Sequence, residues 1–192
     1  MLSIIKIISA ILCVLLLVFM VWFVRSLYIV PAIENTVFFE TSARLEQLFL
    51  PVAKQDEKPT MRVVYFWQNH CPCDQFTKPH FLLMMKQYQQ SAQQVDFYMA
   101  SLDDAALSHD LQNMNVLPNQ LMDSIREDVK ATPAVGVWND KGELVYFGPH
   151  SLGYICNNDT SFVEKALDAL FNSQTVSAAD IFGDGCFCKV GK

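Results

Sequence analysis

Residues 63–76 read VVYFWQNHCPCDQF. The apolar start of this stretch, with the residues just before it, predicts a strand over residues 61–67 that is covered on both faces. After a short turn come two cysteines separated by Pro72, and apolar residues then recur at helical spacing. Pro72 suits the first helical position, because it has no N–H group to leave unpaired there. Cys71 is therefore the predicted N-cap, where the partial positive charge of the helix end favours a thiolate.

The thiol of Cys71 has two interpretations. A free cysteine is most often a buried, small apolar residue. Its pairing with Cys73 across a proline favours a reactive thiol instead. His70 would lower the pKa of this thiol if the imidazole is protonated, or it is an exposed histidine without a role. Asp74 acts in the opposite direction, because a nearby carboxylate disfavours a thiolate.

Composition excludes several function classes. The chain has 192 residues and a formal net charge of −6, and its basic residues are scattered rather than arranged in a stripe. Such a chain is not expected to bind nucleic acid. It contains no glycine-rich phosphate loop and no Cys-x-x-Cys-His motif. No cofactor is therefore predicted: no nucleotide, flavin or haem.

The six cysteines fall into distinct groups. Cys13 lies in the apolar amino-terminal segment, and the other five cannot all pair within one molecule because their number is odd. Cys156 is predicted to be half-buried and structural. The remaining four form two Cys-x-Cys pairs, a spacing more typical of redox or metal chemistry than of a disulfide framework. We interpret His80, His109 and His150 as isolated surface or core histidines.

The amino-terminal segment is long and apolar enough to cross a membrane. Residues 7–24 contain 18 consecutive uncharged residues, close to the length that spans a bilayer. A cleaved signal peptide is the alternative, but the apolar region is long for one and no small-x-small cleavage site follows it. We therefore predict an uncleaved anchor through residues 4–24, with the amino terminus in the cytoplasm and the rest outside it. Disulfides persist in that compartment.

The rest of the chain alternates strand and helix patterns. Residues 131–148 hold two β-rich runs joined by Asn-Asp-Lys-Gly, which predicts a hairpin. A helix is expected around Pro79 but kinked or restarted there, because an interior proline removes a hydrogen bond. Other predicted elements are a strand over residues 95–100 and helices near residues 41–52, 103–111, 117–129 and 161–171.

These features together resemble the thioredoxin superfamily, especially membrane-anchored bacterial thiol–disulfide proteins that face the periplasm. The resemblance rests on Trp67 four residues before Cys71, on Thr132-Pro133, and on the hairpin that follows them. It covers about residues 60–172. It implies an α/β fold with a central mixed sheet flanked by helices. It also implies that Cys71 is the attacking cysteine.

The same resemblance assigns roles to neighbouring residues. Pro133 matches the cis-proline of the family, which lies against the cysteine motif and helps to hold a partner chain. An ordinary trans proline starting an edge strand is the alternative. Trp67, Pro72 and Thr132 complete the supporting set. The resemblance places the protein in the bacterial inner membrane as a single-pass protein, with its carboxy-terminal domain in the periplasm and protein thiols or disulfides as partners.

Two departures from the family pattern change the expected chemistry. The second family cysteine stands three positions after the first, where this chain has Asp74, and the buried family acid is replaced by Tyr65. The usual proton acceptor is thus expected to be missing. Residues two apart on a helix do not face each other, so a Cys71–Cys73 bond would require local unwinding. Alternatively, Cys71 is resolved by a tail cysteine.

The tail itself has two interpretations. Its Cys186-Phe187-Cys188, flanked by glycines, could reach the motif and exchange electrons with Cys71. Otherwise the tail is disordered and its cysteines pair with each other or stay free. The predicted units are an anchor (1–29), a connector with a helix (30–59), a thioredoxin-like domain (60–172) and the tail (173–192).

Three functions follow as expectations. The first is a membrane-anchored thiol–disulfide oxidoreductase with Cys71 and Cys73 as catalytic residues and Cys73, Cys186 or Cys188 as the resolving thiol. The second is a module that binds or delivers Cu(I) or Zn(II). No metal site is predicted under the first function; under the second, the ligands are Cys71, Cys73, Cys186 and Cys188. The third is a redox-inactive interaction domain on the same fold.

Overall fold

A computed structural model describes residues 2–28, 45, 60–69, 71–90, 95–103, 115–117, 119–153, 156–157, 159–176 and 185–190. Several predictions lie outside these residues. They are the helix proposed near residues 41–52, most of the one proposed near 103–111, and the surroundings of His70 and His109.

The first helix, α1, spans Leu2–Tyr28. Within it, Ile4–Arg25 has a mean hydropathy of 3.1, and none of that stretch is buried. Its length and composition suit a membrane span, and a signal sequence would share both properties.

A five-stranded sheet forms the centre of the domain, in the order β3-β2-β1-β5-β6. The strand β1 is paired with β2 in parallel and with β5 in antiparallel orientation, so the sheet is mixed. The hairpin prediction is confirmed by the antiparallel pairing of β5 with β6. The strand bounds are Met61–Trp67 for β1, Val95–Ser101 for β2, Asn115–Val116 for β3, Ala134–Trp138 for β5 and Leu144–Gly148 for β6.

Both faces of the sheet are covered, as the apolar β1 sequence predicts. Alternate side chains of β1, such as Tyr65, contact helices α2 (Pro72–Gln90) and α4 (Phe162–Phe171) in one core cluster. The intervening side chains, such as Phe66, contact helix α3 (Asn119–Asp128) in a second cluster. This two-sided arrangement follows from the alternation of side chains along a strand.

Helix α2 begins at Pro72, as predicted. Of the kink or restart predicted at Pro79, the restart is wrong because the helix is continuous through that residue. Pro79 is exposed, and so is Gln75, whose carbonyl loses its partner when residue 79 has no N–H. Water can satisfy that carbonyl, which explains why an interior proline is tolerated here.

A second, two-stranded sheet brings the tail to the domain. Strand β4 (Ala131–Thr132) pairs in antiparallel orientation with β7 (Cys188–Lys189). The peptide bond that follows β4, between Thr132 and Pro133, is cis, which confirms the geometry implied by the resemblance. The strand order, the strand directions and the cis-proline before β5 make the domain thioredoxin-like.

Candidate functional site

Four cysteines meet at the amino-terminal end of α2. Cys71 directly precedes the helix and is bonded to Cys188, while Cys73 in the first turn is bonded to Cys186. Their exposed fractions lie between 1% and 7%, so a large partner cannot reach these sulfur atoms without displacement of the tail. The four residues form a buried cluster of their own.

The observed pairing agrees with helix geometry. Residues two apart on a helix do not face each other, and no bond joins Cys71 to Cys73, although their sulfur atoms lie within 4.8 Å of each other. The two tail cysteines are also two residues apart, so Cys71 and Cys73 are each bonded to a different tail cysteine. The two bonds run in antiparallel order, since the earlier motif cysteine is bonded to the later tail cysteine.

The β4 backbone fixes the tail beside the motif. Thr132 is opposite Cys188, and the Cys71 Sγ lies 3.3 Å from the Thr132 carbonyl oxygen. The Val190 N–H donates to the Lys130 carbonyl at 2.9 Å, which extends the pairing by one residue. Cis-Pro133 follows immediately, so the predicted motif residues and the tail meet at one place.

A buried aromatic side chain anchors the tail. Phe187, between the two tail cysteines, is 2% exposed and belongs to the core cluster that contains Phe66 and Trp138. On the other side, Gly185 makes bridge contacts with Leu152 and Gly153. No local sequence pattern predicts either contact, although an aromatic residue between two cysteines indicates that one tail side chain can be buried.

A buried carboxylate lies beside Tyr65, which stands where the family acid is expected. Tyr65 donates a hydrogen bond to Asp74 Oδ1, and the buried Asp74 also faces Lys78 Nζ at 3.5 Å. Burial and the Asp74 carboxylate hold the pKa of Tyr65 well above its usual range. Both residues occupy positions where the sequence departs from the family pattern, and they form one buried pair.

A fifth cysteine lies close to this region. Cys156 is half-buried, as predicted, and is not part of a disulfide. Ser151 Oγ donates to its sulfur at 3.0 Å, and Thr77 Oγ1 lies 3.9 Å from it. Thr77 in turn donates to the Cys73 carbonyl at 3.0 Å. Two hydroxyl side chains therefore link the surroundings of this thiol to the first turn of α2.

The interpretation of His80 and His150 as isolated is wrong. His80 Nδ1 and His150 Nε2 are 2.7 Å apart, and His80 Nε2 lies 3.6 Å from Glu164 Oε2. Burial, with a smaller effect of His80, lowers the pKa of His150 to about 3. Burial raises the pKa of Glu164. Seventy residues separate the two histidines in sequence, so no local pattern could have paired them.

The remaining supporting residue, Trp67, ends β1 beside the motif. It is 5% exposed, and Lys78 Nζ lies 5.7 Å from the centre of its ring. The Trp67 Nε1–H has no hydrogen-bond partner among the residues that the structure describes. The same is true of Thr132 Oγ1, which is fully buried.

Comparison with solved structures finds similar folds at low sequence identity. An uncharacterized conserved protein from Geobacillus kaustophilus has a TM-score of 0.54 and 16% identity, over 70% of this chain and 78% of that one. A hypothetical protein from Sinorhizobium meliloti 1021 has a TM-score of 0.56 and 15% identity, over 69% and 80% of the two chains. At these identities the likeness concerns the fold.

A secreted disulfide oxidoreductase from Mycobacterium tuberculosis is more distant. Its TM-score is 0.43 at 17% identity, over 59% of this chain and 84% of that one. Among curated proteins, no match to this chain is found. The family described as a domain of unknown function, DUF6436, matches residues 39–190, which is most of the sequence, and the chain therefore belongs to this family.

Proposed function

We propose that the protein is a thiol–disulfide oxidoreductase in which Cys71 exchanges with disulfides of other proteins and Cys188 resolves the mixed disulfide. The observation that carries this proposal is the Cys71–Cys188 bond at the amino-terminal end of α2, beside the cis peptide bond of Thr132–Pro133. The helix end stabilises a thiolate on Cys71 through its partial positive charge.

The reaction balances with two thiols of this chain. In the reduced protein, the Cys71 thiolate attacks a substrate disulfide, forms a mixed disulfide and releases one substrate thiolate. The Cys188 thiolate then attacks the Cys71 sulfur and releases the second substrate thiolate, which takes a proton from water. Two electrons pass to the substrate, and the Cys71–Cys188 bond remains. The reverse sequence oxidises a substrate dithiol, and the relative reduction potentials decide the direction.

Access to Cys71 depends on the tail. In the oxidised state the sulfur is covered by the segment that it is bonded to, and the Thr132 backbone is occupied by β7. When reduction breaks both covalent links, the two-residue pairing of β4 with β7 is short enough to open locally. A substrate strand would then compete with the tail for the same edge of β4.

The location of this activity is part of the proposal. Residues 4–25 are long and apolar enough to anchor the domain in a bilayer. We place the domain outside the cytoplasm, on the periplasmic side of a bacterial inner membrane, where disulfides persist.

The test is reduction of a protein disulfide by the full-length chain in detergent. The protein is reduced with dithiothreitol, freed of reductant, and mixed with insulin, and the acid-quenched products are mapped by mass spectrometry. We expect the interchain disulfides of insulin to be lost in step with formation of the Cys71–Cys188 bond. Cys71→Ser should abolish the reaction, because it removes the attacking thiol that directly precedes the helix.

Cys156→Ser is the matched control, since it removes a thiol that takes part in neither disulfide. It should react like the wild type. A wild-type protein that leaves insulin intact would contradict the proposal and favour a redox-inactive interaction domain. Reduction of insulin without formation of the Cys71–Cys188 bond would also contradict it, because a different thiol would then resolve the mixed disulfide.

A further inference from the structure

We propose that the four clustered cysteines, once both disulfides are reduced, bind one Zn²⁺ ion in a closed tetrahedral site. This inference concerns the same sulfur atoms as the redox proposal but does not depend on it. A protein that never meets a disulfide substrate could still use the reduced cluster to hold a metal.

The positions of the sulfur atoms carry the inference. The Sγ atoms of Cys71, Cys73 and Cys188 all lie within 4.8 Å of one another and are buried. Cys186 supplies the fourth sulfur, since its Sγ is bonded to that of Cys73. Zn–S distances of about 2.3 Å in a tetrahedron correspond to sulfur atoms roughly 3.8 Å apart. After reduction, the two bonded pairs must separate to this distance, and the Cys186 sulfur must move toward the other three; side-chain rotations about the Cα–Cβ bonds would then give a four-sulfur site.

The scaffold that gathers these ligands does not consist of the disulfides alone. Pairing of Thr132 with Cys188 and burial of Phe187 hold the tail against the domain. The other two ligands are fixed by the start of α2. Preformed ligands reduce the ordering cost of metal binding, so the reduced cluster is a better site than four cysteines on a free chain.

Charge and burial favour a closed, thiolate-only site. Four thiolates around Zn²⁺ carry a net charge of −2, and the positive end of α2 partly offsets it. All four cysteines are buried, which excludes the water molecule that an open catalytic zinc site would bind. Sulfur-only ligation in a tetrahedron is typical of zinc and iron–sulfur sites.

Conversion of the protein with two disulfides to the reduced, zinc-binding protein requires four electrons, which a dithiol reductant can supply. Two molecules of dithiol each reduce one disulfide and together deliver four electrons and four protons, which leave four thiols on the protein. Binding of Zn²⁺ then releases up to four protons to the buffer. Two equivalents of a disulfide oxidant reverse the first step and release the ion. Metal binding and the disulfides are therefore mutually exclusive.

The experiment uses the full-length chain in detergent, with Cys13→Ser and Cys156→Ser to remove the two free thiols. The protein is reduced with dithiothreitol, desalted without oxygen, and titrated with Zn²⁺ against a chromophoric chelator. We expect one ion per chain in the reduced protein and none in the oxidised protein. Titration with Co²⁺ should give the intense visible absorption of a tetrahedral thiolate complex.

Replacing one or both tail cysteines identifies the ligands. Cys186→Ser alone and Cys186→Ser with Cys188→Ser should each weaken Zn²⁺ binding by more than the roughly 10–100-fold caused by loss of an outer-shell partner. Circular dichroism of the same samples confirms that the domain is folded. Binding unchanged by these substitutions, binding to the oxidised chain, or stoichiometric binding of Cu⁺ but not Zn²⁺ would each overturn the proposal. Insulin reduction by the metal-free protein is measured separately, so failure of one proposal does not imply failure of the other.

Discussion

Cys188 lies opposite Thr132 in the antiparallel pair of β4 and β7, and its sulfur is bonded to Cys71. One tail residue therefore contacts the domain through both its backbone and its side chain. Under the proposed function, a polypeptide substrate would bind in the same way, as an extended chain at the cis-proline with its cysteine bonded to Cys71. In this protein the carboxy-terminal segment of the same chain takes that place.

The aromatic anchor of the tail should control access to the motif. Phe187→Ala removes a side chain that is 2% exposed, and such truncations cost about 3–5 kcal/mol. In the reduced protein we expect the tail to open more often, so that iodoacetamide modifies Cys71 about tenfold faster or more. The measurement is alkylation at that residue followed by peptide mass spectrometry. Phe76→Ala, at a site that is 52% exposed, should leave the rate unchanged, and equal rates for both variants would contradict the role of Phe187.

Gly185 should also affect how firmly the tail is held, because its backbone lies close to the side chain of Pro149. A Cβ atom added there would lie 2.2 Å from Pro149 Cβ and 2.6 Å from Pro149 Cγ, so the tail must shift. We expect Gly185→Ala to speed reduction of both disulfides by dithiothreitol, measured by trapping free thiols over time. Adding Pro149→Gly removes the clashing atoms and should restore most of the slow rate. No restoration would contradict the steric role of Pro149.

The buried Tyr65–Asp74 pair should contribute to stability as a unit. Tyr65→Phe deletes the donor to Asp74 and should lower the free energy of unfolding by about 1–3 kcal/mol, because a buried acceptor loses its partner. The measurement is urea denaturation of the detergent-solubilised protein. In an Asp74→Asn background, Tyr65→Phe should cost much less, and additive effects would show that the two residues are not coupled.

The buried histidine should make the domain sensitive to acid. The pKa of His150 is about 3, below its ordinary 6.5, so the unfolded chain binds more protons between these values. Stability should therefore fall as pH decreases through 6.5, by at most about 1.4 kcal/mol per pH unit. Thermal melting between pH 7 and 5 measures this, and His150→Gln should flatten the slope.

Glu164 should have the opposite effect to His150 on how stability depends on pH. Its pKa is raised, so its contribution is fully present below 4.5 and is lost as pH rises through the pKa of the folded state. Glu164→Gln should therefore make the acid sensitivity steeper than in the wild type. A shallower slope in that variant would mean that the carboxyl is not protonated more readily in the folded domain than in the unfolded chain.

Local patterns predicted the parts of the fold that lie close together in sequence. The apolar strand before the motif, Pro72 at the helix start and the hairpin turn at Asn139 all have short-range chemical causes. The fold could be predicted from these elements because the positions of Trp67 and Thr132-Pro133 relative to the cysteine motif are found together in few other folds. The continuous helix through Pro79 could not be predicted, since its tolerance depends on exposure, which the sequence does not state.

The candidate site depends on tertiary contacts that the periodicity of the sequence does not predict. Sequence analysis named the tail cysteines as candidates but could not pair each with its partner, because that depends on a strand of only two residues. Tyr65 and Asp74 are nine residues apart, and no local pattern connects them, although they form a hydrogen bond in the folded domain. The contact of His80 with His150 spans seventy residues and depends on the tertiary fold alone.

The two disulfides enclose nested loops, with sequence separations of 113 and 117 residues. The inner bond already closes nearly all of the loop that the outer bond closes, so breaking either bond alone frees little chain entropy. Only loss of the second bond opens the ring, and a loop of this size is worth roughly 4–5 kcal/mol of stabilisation in the chain-entropy treatment. Reduction of the first disulfide should therefore change the free energy of unfolding little, and reduction of the second should lower it strongly. The stability of the domain would then distinguish the half-reduced protein from the fully reduced one.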